Sequence, residues 1–138
     1  MARAPSDGDY QRLLEFRTEL RRFLRWSEEQ AAAAGLTPAQ HQLLLVVRGH
    51  GGERGPTIGD VADSLLLRHH SAVELVDRAE AAGLVTRVAD PDDLRVVRLD
   101  LTADAAARLE QLSARHLDEL ARLTAGLGPL VAGLDGGA

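Results

Sequence analysis

Cysteine is absent from the 138 residues, which excludes disulfides, thiolate metal sites and thiol-based redox sensing. Lysine is absent too, so all 16 basic residues are arginine. Arginine suits bidentate contacts with phosphate and guanine, although a GC-rich genome produces the same bias. Aromatic residues make up 3%, and Tyr10, Phe16, Phe23 and Trp26 all fall in the first helix-like stretch. The remaining core must therefore be aliphatic. Long apolar runs are missing: the longest, residues 43–47, is far below the roughly 20 residues of a membrane helix, and no signal-peptide core opens the chain. These absences predict a cytoplasmic protein with no membrane partner. A positive balance is lacking as well, since the net charge is −5. That runs against the simplest electrostatic signature of a nucleic-acid binder.

What is present reads as an ordinary globular composition, and the length fits a single domain over residues 1–138. Residues 1–8, with Pro5, Ser6, Asp7 and Gly8, read as a loose tail. Leu13, Phe16, Leu20, Phe23 and Ser27 then recur at spacings of 3, 4, 3 and 4, one stripe of a long helix that Gly35 ends. Thr37-Pro38-Ala39-Gln40 combines an N-cap, a first-turn proline and the glutamine of a capping box, starting a second helix that runs to about Arg48. Residues 49–56 hold four glycines and a proline and form a loop. Thr57 caps a short third helix on which Ile58, Val61, Ala62 and Leu65 share a face.

A turn over residues 66–68 leads to a fourth helix from His69 to a stop at Gly83. Its predicted buried side is Ala72, Val73, Val76 and Ala79, with His69 on the core side and His70, Ser71, Glu74, Asp77, Arg78 and Ala81 opposite. Residues 84–89 and 95–101 are rich in β-branched side chains, and Asp90-Pro91-Asp92-Asp93-Leu94 between them makes a β-hairpin turn. Thr102 caps a last helix carrying Leu109, Leu112, His116, Leu120 and Leu123. Gly126, Gly128 and Pro129 are expected to break it, leaving a short apolar tail over residues 130–134.

Short helix, tight turn, helix and hairpin in that order predict a mainly α fold with a β-hairpin wing, a winged helix-turn-helix. Its second helix is shaped for a DNA major groove and its wing for the neighbouring backbone or minor groove. On the fourth helix, His70 and Ser71 in the first turn and Glu74 next are the candidate base contacts. Glu74 and Arg78 stand at i and i+4 and equally suit a surface ion pair of a few tenths of a kcal/mol. Arg68, Arg87 and Arg98 join the candidate DNA contacts as the other arginines of residues 57–101. In the wing, Asp93 can hold Arg95 in a fixed pose, or the two simply form a solvated charged turn.

Leu36-Thr37-Pro38-Ala39-Gln40, Gly83-Leu84-Val85-Thr86-Arg87, Asp90-Pro91-Asp92-Asp93-Leu94-Arg95 and Leu99-Asp100-Leu101-Thr102 resemble, over nearly the whole chain, the MarR family of bacterial transcriptional regulators. The resemblance implies that Asp93 orients Arg95, that Arg95 meets double-stranded DNA, and that the protein is a homodimer. In that reading residues 9–34 and 102–134 are dimerisation helices and residues 37–101 the winged helix-turn-helix lobe. It further implies a sequence-specific repressor released by a small aromatic effector, for which Trp26, His41 and His116 are candidate lining residues. The chain departs from the family in three places. Leu94 stands where many members carry a second arginine, Glu74 occupies a position basic in some relatives, and the segment after Gly126 is short for a terminal dimerisation helix.

Residues 57–101 contain five arginines against nine acids, a net −4, so weak non-specific DNA binding and a modest salt dependence are expected. The same acidity is what a winged-helix protein-interaction module that had lost DNA binding would show. Catalysis has no support: Gly51-Gly52-Glu53-Arg54-Gly55 lacks the lysine of a phosphate loop, and Asp90, Asp92 and Asp93 lack calcium-loop spacing. With no cysteine and no close His/Glu cluster, no metal or cofactor is expected at His41 or His116.

Overall fold

Hydroxyl side chains set the starts of most helices. The structure is a computed structural model and describes residues 3–135; residues 1–2 and 136–138 of the expected domain, and the side chain of Leu134 in the expected tail, lie outside them. α1 (Asp7–Ala33) begins at Ser6, whose Oγ accepts from the Asp9 N–H at 3.2 Å while the Asp9 carboxylate accepts from the Ser6 N–H at 2.9 Å. The stretch expected as a loose tail therefore contains a capping box, with aspartate in the place usually held by glutamate. Thr37 and Gln40 close the predicted box at α2 (Pro38–Gly49), and Thr57 and Asp60 close another at α3 (Ile58–Leu65). α4 (His69–Ala81) follows Arg68 with no side-chain cap. Thr102 starts α5 (Ala103–Asp135), accepting from the Ala105 N–H at 3.2 Å and donating to the Gly83 carbonyl at 2.7 Å.

The hairpin pairs β1 (Val85–Ala89) antiparallel with β2 (Val97–Leu101), Val85 lying opposite Leu101 and Ala89 opposite Val97. The loop before α3 joins this sheet: Thr57 bridges to Arg98, and the Leu99 N–H donates to the Pro56 carbonyl at 2.9 Å. Gly55 is needed for that approach, because a Cβ there would lie 2.0 Å from the Leu99 carbonyl oxygen.

Two compact units result. The unit of residues 31–112 owns the core, in which Leu43, Leu44, Val61, Val76, Leu84, Val85, Leu99 and Leu112 are fully buried. Each such side chain contributes about 1.5–3 kcal/mol by leaving water. The second unit comprises residues 3–30 and 113–135. Not one side chain of residues 3–30 or 113–132 is buried, and Leu13, Leu14, Leu24 and Leu117 are half-exposed or more.

The last helix corrects the sequence expectation, since α5 continues through Gly126, Gly128 and Pro129. Proline disfavours a helical predecessor by crowding its Cβ, and Gly128 has none. Among the described residues no helix is long and apolar enough to cross a membrane.

Candidate nucleic-acid interface

α3 and α4 are joined by a turn in which Leu66, the C-cap of α3, takes the left-handed conformation (φ 56) with its side chain 92% exposed. The turn frees α4 to bury Ala72, Val76 and Ala79 and to leave His70, Glu74, Asp77, Arg78 and Ala81 exposed, as the helical period predicts. Ser71 and Val73 are half-buried, and Leu75 packs against the core in part. His69 is exposed, contrary to its expected place on the core side. It is the first residue of α4, where no preceding turn of helix exists for its side chain to pack against. Arg68, just outside the helix, is exposed as well, and Glu74 and Arg78 do not pair.

The wing tip carries a fork. Asp93 Oδ1 accepts from the Arg95 backbone N–H at 3.1 Å and from its Nε at 3.0 Å, and Asp93 Oδ2 accepts from Nη2 at 3.2 Å. The Arg95 guanidinium bonds hold the Asp93 carboxyl below its usual pKa, with the Arg95 backbone N–H adding to the effect. The arginine remains 91% exposed, so the fork fixes its pose without hiding it.

Two other candidate arginines are turned inward. Arg87 on β1 donates to Asp77 at 2.5 Å and Glu80 at 2.6 Å, tying the wing to α4. Arg98 on β2 donates through Nε to Asp90 at 2.6 Å and through Nη1 to the Gly55 carbonyl at 3.0 Å. Asp90 is the hub of this clasp. Only 4% exposed, it also accepts from Arg54 Nη1 at 2.9 Å and from the backbone N–H groups of Asp92 and Asp93 at 2.8 and 3.2 Å. The Arg98 bond, then the Asp92 N–H, hold its carboxyl far below the usual range. Arg54 reaches on to Asp92 at 2.7 Å.

Sequence reasoning took Asp90 for a turn residue and passed over Arg54. An aspartate followed two and three residues later by free N–H groups is a turn signal that could have found the first. Nothing local announces a partner 36 residues away.

Of the candidate effector residues, Trp26 and His116 meet in the unit of residues 3–30 and 113–135. Their ring centroids are 4.8 Å apart, Phe23 packs edge-on to His116 at 6.1 Å, and Ser27 Oγ lies 2.7 Å from His116 Nε2. His41 is buried in the other unit, on α2. Among the described residues no group of three or more His, Asp or Glu is arranged to hold a metal ion.

Comparison with known proteins agrees with this architecture. A sequence model of the MarR family matches residues 34–95. The chain is 27% identical over 94 residues to the HTH-type transcriptional repressor MdtR of Bacillus subtilis, a match covering 68% of this chain and 59% of that protein. The structure of a complex of S. aureus MepR with DNA is similar with a TM-score of 0.69 at 19% identity, over 80% of this chain and 78% of that one. CouR from Rhodococcus jostii RHA1, solved bound to p-coumaroyl-CoA, gives a TM-score of 0.64 at 25% identity, over 72% of this chain and 68% of that one. With its helix–turn–helix, its clasped wing and a sequence model that matches residues 34–95, the chain is similar to the MarR family of winged helix-turn-helix transcriptional regulators.

Proposed function

We infer that the protein is a homodimeric, sequence-specific repressor that binds double-stranded DNA in the cytoplasm and is released by a small molecule. The observation that carries the reading is Arg95, almost wholly exposed yet locked by Asp93 on a wing that is itself clasped to the lobe. A cation held ready in one pose loses little freedom on meeting a groove. His70, Ser71, Glu74 and Arg78 line the solvent side of α4 and supply the base contacts, with Arg68 beside them on phosphate. Arg87 and Arg98 serve the interface by holding the wing, since their donors already face carboxylates and a carbonyl.

Dimerisation is supported by the apolar stripes of α1 and α5, which bury no side chain over residues 3–30 and 113–132 and need a second copy to cover them. The Trp26–His116–Phe23 ring cluster favours a planar, aromatic effector, the class that CouR's p-coumaroyl-CoA represents.

A gel shift on DNA from the protein's own promoter region, run across a salt series, tests the reading. Wild type should shift that DNA in preference to competitor, and Arg95→Ala should cost about 1–3 kcal/mol of specific affinity. No sequence-dependent shift at low salt would leave a protein-interaction module in its place. For the effector, a thermal-shift screen of aromatic acids should raise the melting temperature of wild type and not of Trp26→Ala.

A further inference from the structure

The tip of the wing presents an apolar side chain. Leu94 is 79% exposed. It does not hang on a loose loop. Asp90 accepts from the N–H groups of Asp92 and Asp93, the Asp90 N–H donates to the Val96 carbonyl at 2.9 Å, and the Val96 N–H donates to the Asp93 carbonyl at 2.9 Å. Leu94 lies inside this double closure, beside the locked Arg95, so its position is set before anything docks on it.

Charge at the wing is balanced. The carboxylates of Asp90, Asp92 and Asp93 face the guanidiniums of Arg54, Arg98 and Arg95, and the cluster has no net formal charge. General attraction to phosphates is therefore weak at this tip, and discrimination falls to shape and to the fit of an apolar surface. In the minor groove an A·T pair offers only acceptors, whereas a G·C pair adds the guanine 2-amino donor. A leucine side chain pressed there cannot accept from that amino group and leaves it without a partner.

We propose that Leu94 packs into the DNA minor groove and makes the wing reject pairs that carry a 2-amino group, while Arg95 beside it favours a narrow groove. Other minor-groove proteins place apolar side chains in that groove, where they wedge between base steps. The proposal rests on the DNA-binding reading above and adds a specificity determinant to it.

The test begins with duplexes selected by wild type from a random pool. In a selected duplex, each adenine flanking the conserved centre is replaced in turn by 2,6-diaminopurine, which adds the 2-amino group and leaves the major-groove edge unchanged. Each guanine is replaced by inosine, which removes it. Affinities are read by fluorescence anisotropy for wild type, Leu94→Ala and Leu94→Asn. At the wing-contact pairs diaminopurine should weaken wild type about tenfold, the scale of one mismatched pair, and inosine should restore binding where guanine is disfavoured. Leu94→Ala should lose the discrimination, its two affinities agreeing within about twofold. Leu94→Asn, which can accept from the amino group, should bind the diaminopurine duplex at least as well as the adenine one. Unchanged thermal melting of both variants keeps the comparison clean, since Leu94 packs on little else. Equal wild-type affinities with and without the 2-amino group at every flanking pair, or an alanine variant that keeps the wild-type ratio, overturns the assignment of Leu94 and leaves DNA binding standing. If no sequence is enriched from the pool, the DNA-binding reading fails with it.

Discussion

A leucine in the left-handed region pays a steric penalty that glycine avoids, and Leu66 recovers nothing by packing because its side chain is exposed. Leu66→Gly is expected to stabilise the protein by up to about 1 kcal/mol, the relief of strain exceeding the greater unfolded-state freedom of glycine. Chemical denaturation would show a higher midpoint with an unchanged slope. Gly55 is the opposite case. Its missing Cβ lets the backbone pass against Leu99, and Gly55→Ala should destabilise by about 1–3 kcal/mol, as overpacking does. Legibility at this scale followed the reach of the relevant contact. Asp93 and Arg95 stand two apart, and their pairing was readable as a possibility; Asp90 and Arg54 are joined only by the fold. His69 was misplaced because a helical wheel assumes a neighbouring turn that the first residue of α4 lacks.

The wing is an element whose shape depends on ionised carboxylates. Asp90 and Asp93 both have pKa values below the ordinary 3.8, so their stabilisation is complete at pH values above that and is lost as pH falls through the lower folded-state values. Melting temperature should therefore stay level from neutral pH down to about 5 and drop below about 4. Asp90→Asn should melt lower at neutral pH and show a shallower acid decline; an identical acid limb would mean the clasp does not carry it. The two kinds of arginine separate at the same scale. Arg95→Ala should reduce the slope of log affinity against log salt by about 1, whereas Arg87→Ala, losing contacts to Asp77 and Glu80 alone, should leave it unchanged. Element types and order could be read from period and caps. Element ends were harder: Ser6 and Asp9 start α1 inside a stretch rich in turn formers, and Gly128 carries α5 past Pro129 by being the residue that proline tolerates before it.

For the molecule as a whole, the arrangement of charge matters more than its sum. The net −5 argued against DNA binding in the sequence, but carboxylates at 77, 80, 90, 92 and 93 are paired with arginines, so the acidic count overstates the field at the wing. No linear reading could show that, because pairing depends on side-chain positions. The stripes of α1 and α5 were legible as apolar, and their exposure is visible only once the chain is folded. Sedimentation of wild type should give a dimer, with Leu13→Glu or Leu117→Glu shifting it toward monomer while helicity of the 31–112 unit persists.

The lack of any buried side chain over residues 3–30 and 113–132 has a consequence for how much protein a cell must hold. In the proposed dimer the stretches 3–30 of α1 and 113–132 of α5, which bury no side chain of their own, draw their stability from association, and association obeys mass action. The midpoint of unfolding should then rise with protein concentration, and below the dissociation constant the DNA-reading lobes would exist singly. A duplex with two half-sites would bind such single lobes far more weakly, so abundance itself becomes an input to the regulator, acting alongside any small molecule.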